Sequence, residues 1–145
     1  MPRVLSIIAV VLLGCTTSPG VSPPSAPSTE LELSVEAEPL TISWSESVRI
    51  RLTVKNPSDA PVVKGFSSGC IYGFSLLSAD GEVVAPPPRT CTMNAPTVTY
   101  APNSLEELEF QWTWDDKDIK PGTYRLVAGF GPRGEGGPSI EIRLK

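Results

Sequence analysis

The sequence has no histidine, only two methionines and only three cysteines among its 145 residues. Without histidine, the chain lacks the commonest general base and the commonest zinc and copper ligand. Catalysis by a serine–histidine–aspartate or a cysteine–histidine arrangement is therefore excluded. The net charge is −4 and no basic cluster occurs, which argues against nucleic acid as a partner. We expect a non-enzymatic protein with neither a cofactor nor a metal.

The sequence also contains no apolar run long enough to cross a bilayer as a helix, which needs about 20 residues. A shorter run at residues 4–13 follows one positive charge at Arg3, as in a secretory signal peptide. It ends Leu12-Leu13-Gly14-Cys15, which resembles a bacterial lipobox, the signal that places a lipid on the cysteine. We expect residues 1–14 to be a lipoprotein signal peptide and Cys15 to anchor the protein outside the cytoplasm, in the cell envelope. The alternative is an ordinary cleaved signal with a chance cysteine.

Residues 15–29 form an uncharged stretch rich in proline and serine, in which Val21 is the one apolar residue after Cys15 that is larger than alanine. Such a composition cannot bury enough apolar surface to fold. Proline keeps such a chain extended, so we expect a semi-rigid tether between membrane and domain. The folded domain is then expected over residues 30–145.

Proline and glycine divide residues 30–145 into short runs in which apolar and polar side chains alternate, as in half-buried β-strands. The clearest is Ser47–Lys55, whose basic outer face is expected to pair with the acidic outer face of the strand that begins near Leu31. Residues 108–130 hold two further strands with inward aromatic side chains. About eight such runs and no convincing helix predict an all-β, immunoglobulin-like antiparallel β-sandwich.

Two cysteines remain once Cys15 is assigned to the lipid, namely Cys70 and Cys91. An exported compartment permits disulfides, so we expect these two to form a bridge. Closing a loop of about 20 residues would stabilise the fold by roughly 3 kcal/mol. Two free buried thiols are the alternative, and a zinc site lacks the histidines that would complete it.

Three motifs follow one another along the domain. They are Asn56-Pro57-Ser58-Asp59; Phe66-Ser67-Ser68-Gly69 with Tyr72-Gly73-Phe74; and Trp112 and Trp114 before Pro121-Gly122-Thr123-Tyr124. In this order they resemble the BsuPI domain, a family named for a bacterial intracellular proteinase inhibitor. The resemblance implies an immunoglobulin-like sandwich, in which Tyr124 can form a tyrosine corner. It also implies proteinase inhibition, although such folds serve many binding roles.

The sequence departs from the BsuPI pattern at three places. Cys70 stands where the family usually has glutamine, and Gly73 stands where it has aspartate. The family's tryptophan-rich strand after the Asp80-Gly81 hairpin is replaced by Pro86-Pro87-Pro88. The cysteine fits export, because it creates the predicted bridge to Cys91.

We expect a membrane-anchored protein-binding module whose partner is a protease or another envelope protein. The narrower alternative is a cell-surface proteinase inhibitor acting through Pro88, Arg89 and Thr90. These residues would form a stiff, disulfide-tied segment with a basic side chain at its tip, and preorganisation lowers the entropy cost of binding. The competing interpretation is that Arg89 is one exposed charge in a loop between strands.

An acidic cluster and a glycine-rich stretch also bear on function. Asp115, Asp116 and Asp118 offer oxygen ligands for calcium, but they lack the spacing of a known calcium loop, and acidic turns are usually solvated. Residues 131–137 are rich in glycine and are expected to form a flexible loop before the last strand.

Overall fold

The computed structural model describes residues 30–85 and 90–145. These residues form ten β-strands, and none of them forms a helix that could cross a membrane. The predicted signal peptide, Cys15, the predicted tether and residues 86–89 lie outside the described residues. The strands are β1 Glu32–Glu38, β2 Thr41–Ile42, β3 Ser47–Lys55, β4 Val62–Gly65, β5 Tyr72–Leu77, β6 Val83–Ala85, β7 Thr97–Tyr100, β8 Leu105–Thr113, β9 Gly122–Phe130 and β10 Ser139–Leu144.

The strands form two facing sheets and a separate pair. One sheet has the order β1-β3-β8, the other has the order β2-β10-β9-β5-β6, and β4 pairs with β7. Neighbouring strands are antiparallel, except that β2 runs parallel to β10. The chain changes from the first sheet to the second around Pro39, whose peptide bond is cis. The predicted all-β sandwich is confirmed, with ten strands among the described residues rather than about eight.

The alternating pattern of the sequence places the apolar side chains between the sheets. Phe74 of β5 packs against Phe110 of β8 with ring centroids 5.6 Å apart, so these two strands contact each other across the core. Ile50 and Leu52 of β3 have no exposed surface. Burying side chains of this size stabilises the fold by about 1.5–3 kcal/mol each.

Charged side chains cover the outer face of the three-stranded sheet. Arg51 Nη1 lies 3.5 Å from Glu36, Lys55 Nζ lies 3.4 Å from Glu32, and Arg49 Nε lies 3.2 Å from a third carboxylate, that of Glu109 on β8. The predicted pairing of the basic face of β3 with the acidic face of β1 is therefore confirmed. All these side chains are exposed, so each pair contributes at most about 1 kcal/mol and chiefly favours the observed register.

Strand β7 was not predicted from the sequence, because residues 89–102 show the least regular alternation of apolar and polar residues in the domain. Four consecutive β-branched or aromatic residues from Thr97 to Tyr100 form this strand. Such residues favour strands, but Pro96 and Pro102 flank a run too short for its periodicity to stand out. Strand β7 follows directly after the segment that contains Cys91.

The Asn56 motif holds the ends of β3, β4 and β7 together. The Asn56 side chain is fully buried, and its Nδ2 lies 2.9, 3.1 and 3.0 Å from the carbonyl oxygens of Ala60, Tyr100 and Ala101, so its two hydrogens are shared among three acceptors. Its Oδ1 accepts from the amide and the hydroxyl of Ser58 at 3.1 and 2.8 Å. A buried amide with all these partners fixes a turn, so this motif has a structural role.

The tyrosine corner implied by the family resemblance is present. Tyr124, near the start of β9, donates from its hydroxyl to the carbonyl of Lys120 at 2.6 Å. The chain between β8 and β9 crosses from one sheet to the other, and this bond fixes its return, as in immunoglobulin-like domains.

Residues 131–137 fold back over the outer face of β5 and β9. Ser75 of β5 donates from its hydroxyl to the carbonyl of Arg133 at 2.6 Å. A Cβ at Gly73 would overlap the carbonyl oxygen of Pro132 and lie 2.6 Å from that of Gly131. Glycine at position 73, where the family usually has aspartate, therefore makes room for this loop.

Replacing Gly73 with alanine should lower the free energy of unfolding by about 1–3 kcal/mol, the usual cost of overpacking. The matched control is Gly65→Ala on β4, because a Cβ there meets nothing within 4 Å. The control should be neutral or stabilise by up to about 1 kcal/mol. Urea unfolding followed by circular dichroism measures both variants, and equal midpoints would contradict the packing described for residues 131–137.

Candidate functional site: a disulfide-tied loop

Cys70 and Cys91 form a disulfide, as the sequence predicts. Their Cα atoms lie 5.2 Å apart, and the bridge joins positions separated by 21 residues. The alternative of two free thiols is therefore wrong. Cys70 is buried two residues before the start of β5, so the bridge ties the segment around Cys91 to the core of the larger sheet.

The chain that follows the bridge forms a short loop at residues 92–95, referred to below as the 92–95 loop. Two backbone hydrogen bonds hold its ends. The amide of Gly69 donates to the carbonyl of Thr92 at 3.0 Å, and the amide of Phe66 donates to the carbonyl of Pro96 at 2.9 Å. Strand β7 then begins and pairs with β4. Because both ends are bonded to the same preceding segment, the loop has a defined position on the domain.

Gly69 allows the 92–95 loop to approach this closely. A Cβ at Gly69 would overlap the hydroxyl of Thr92 and would lie 2.8 Å from Oδ1 of Asn94. The Thr92 hydroxyl donates a hydrogen bond to that same Asn94 oxygen. The side chains of Thr92 and Asn94 therefore lie against Gly69, and Met93 between them is 97% exposed.

A hydrogen-bonded group of two buried tyrosines and one exposed glutamate supports β7, the strand that follows the loop. The hydroxyls of Tyr72 and Tyr100 lie 2.7 Å apart, and Tyr72 donates to Oε2 of Glu106 at 2.9 Å. Since the single proton of Tyr72 goes to the carboxylate, the Tyr100 hydroxyl is the donor to Tyr72. Burial raises the pKa of both phenols above the ordinary value, so both stay neutral near pH 7. The group joins β7 to β5 and β8.

The predicted inhibitory segment is described only in part. Pro88 and Arg89 lie outside the described residues, so their role stays a prediction. Thr90 is exposed and precedes the bridged Cys91. Met93 belongs to none of the motifs in the sequence, and its one distinguishing feature there is a position two residues after Cys91.

The acidic residues between β8 and β9 form a turn. The amide of Asp118 donates to the carboxylate of Asp116 at 2.9 Å. Among residues 30–85 and 90–145, no group of three or more acidic, cysteine or histidine side chains is placed to hold a metal ion.

The aromatic residues of β8 face inward as predicted. Trp114, which directly follows β8, is 3% exposed, and its indole nitrogen donates to the carbonyl of Ile119 at 3.2 Å.

The model of the BsuPI family, described as intracellular proteinase inhibitor, matches residues 30–133. The chain belongs to this family, which is one of inhibitors, and the match includes the disulfide and the 92–95 loop. A search of curated proteins returns no match.

Similar solved structures are larger proteins that share only the fold. A DNA glycosylase, AlkC of Pseudomonas fluorescens, bound to DNA with an abasic site analog, has a TM-score of 0.50 at 14% identity. The alignment covers 81% of this chain and 31% of that one. The β-glucosidase EmGH1 of Erythrobacter marinus has a TM-score of 0.51 at 17% identity and covers 81% and 16%. The chain thus spans less than a third of either protein.

Removing the bridge with the double variant Cys70→Ser/Cys91→Ser should lower the free energy of unfolding by about 3 kcal/mol, because the unfolded chain gains loop entropy. It should also expose the 92–95 loop to rapid proteolytic cleavage. Urea unfolding and limited proteolysis test both effects. Wild-type chain in reductant is the control and should behave like the variant, whereas an unchanged midpoint and unchanged cleavage would contradict this role of the bridge.

Proposed function

We propose that this protein is a lipid-anchored, non-enzymatic module of the cell envelope that binds and inhibits a protease. The observation that supports this proposal most strongly is the match of the BsuPI family model to residues 30–133. This range contains an exposed loop that a disulfide ties to the domain. An inhibitor that binds like a substrate presents such a segment in one conformation. The bridge and the backbone bonds at Thr92 and Pro96 lower the entropy that binding would otherwise cost.

Two features of the chain support a location outside the cytoplasm, in contrast to the intracellular inhibitor for which the family is described. The Leu12-Leu13-Gly14-Cys15 sequence resembles a lipobox, and the bridge between Cys70 and Cys91 is of the kind that persists in oxidising compartments. The tether at residues 15–29 would hold the domain away from the membrane surface. At full extension these 15 residues reach on the order of 50 Å.

The inhibitor proposal is tested by titrating the full chain, purified in detergent and oxidised, against subtilisin-like, chymotrypsin-like and trypsin-like proteases. We expect stoichiometric inhibition of at least one of them while the chain stays uncut. Denatured, reduced chain is the control and should be digested. Absence of inhibition at micromolar chain, or cleavage of the native chain as an ordinary substrate, would remove a protease as the partner.

The anchor is tested with Cys15→Ser in a bacterium that matures lipoproteins. Wild-type chain should fractionate with membranes and partition into the detergent phase, and the variant should lose both properties because it lacks the acylated thiol. The double variant Cys70→Ser/Cys91→Ser keeps Cys15 and should remain with the membranes. Membrane association of Cys15→Ser equal to that of the wild type would overturn the lipid assignment.

A further inference from the structure

Met93 is far more exposed than the other large apolar side chains of the described residues. It is 97% exposed, whereas Leu105 and Val63 reach 61% and 63% and lie within strands. Single exposed apolar residues are ordinary on protein surfaces, so exposure alone assigns no role. A role for Met93 depends on the bonds that hold the loop that carries it.

The backbone on both sides of Met93 is held in place. The carbonyl of Thr92 accepts from the amide of Gly69, and the carbonyl of Pro96 accepts from the amide of Phe66. The disulfide at Cys91 lies two residues before Met93. A side chain at the tip of a loop held this closely can enter a pocket with little further ordering of the backbone.

The two side chains that flank Met93, those of Thr92 and Asn94, are also exposed. They bond to each other and lie against Gly69, where an added Cβ would overlap the Thr92 hydroxyl. The Thr92 hydroxyl and the Asn94 amide oxygen are therefore partnered with each other. Met93 is the one apolar side chain of this exposed three-residue segment.

We propose that Met93 is the specificity-determining residue of the inhibitor and enters the pocket with which the target protease selects its substrates. The proposal rests on the proposed function above and deepens it. It assigns a class of target, namely proteases whose specificity pocket is apolar and takes a large unbranched side chain. Methionine suits such pockets because its flexible thioether chain adapts to their shape.

The same chemistry disfavours proteases of the trypsin type. Their pocket ends in a carboxylate that pairs with a basic substrate side chain, whereas the chymotrypsin pocket is a hydrophobic slot. Methionine would bury that carboxylate without a partner, which is costly. The Met93 assignment and the Arg89 prediction therefore select opposite protease classes.

The test compares full-length wild type with Met93→Arg and Met93→Ala, each oxidised and in detergent, as inhibitors of chymotrypsin, subtilisin and trypsin. Wild type should inhibit an apolar-pocket enzyme at least about 100-fold more strongly than trypsin. Met93→Ala should weaken that inhibition by about 10- to 100-fold, the effect of deleting one buried apolar side chain. Met93→Arg should reverse the preference in favour of trypsin.

The control is Leu105→Ala, because Leu105 is an exposed apolar residue on β8 and its variant should inhibit like wild type. Arg89→Glu is the variant that tests the competing prediction, and the Met93 assignment expects it to leave inhibition of the apolar-pocket enzyme unchanged. Equal urea midpoints for all variants establish that folding is unchanged. This is expected for the Met93 variants because the Met93 side chain is 97% exposed.

The outcomes separate the two proposals. If wild type inhibits a protease but the Met93 variants inhibit it equally well, the Met93 assignment is overturned and the inhibitor proposal stands. If wild type prefers trypsin and Arg89→Glu abolishes that inhibition, Arg89 replaces Met93. If wild type inhibits none of the three proteases, both proposals fail together.

Discussion

The close approach of the 92–95 loop to Gly69 is the constraint on which the candidate site depends. Any side chain at position 69 would occupy the space that the Thr92 hydroxyl fills. The amide of the same glycine holds the Thr92 carbonyl, and the next residue, Cys70, carries the disulfide. Three interactions from two consecutive residues therefore fix the loop, at whose tip Met93 is exposed.

The sandwich keeps this arrangement in place through β7 and the start of β5. The buried Asn56 side chain bonds to the carbonyls at the far end of β7, and the hydroxyls of Tyr72 and Tyr100 bond to each other in the core. Asn56 and Tyr72 belong to the motifs by which the sequence resembles the BsuPI family, and Tyr100 is the hydrogen-bond partner of Tyr72. These motifs thus contribute mainly to the scaffold that supports the 92–95 loop.

Much of the fold followed from the sequence, because half-buried strands carry a period of two. The faces of β3, β8 and β9 and the charge pairing with β1 were predictable in this way, whereas the disulfide followed from the number of cysteines and the expected export. Strand β7 was not, since four residues between prolines give too short a pattern. The packing of residues 131–137 and the position of Met93 depend on close contacts at Gly73 and Gly69, which arise between distant segments and leave no local periodic signal.

The central claim is that a protease contacts this domain through the 92–95 loop. Amide hydrogen exchange of the oxidised full chain, with and without a protease that it inhibits, tests this most directly. The account predicts that protection on binding increases chiefly at residues 92–95, with β1, β3 and β8 unchanged. Protection confined to the exposed edge of β8 or to residues 131–137, with the 92–95 loop unaffected, would contradict it.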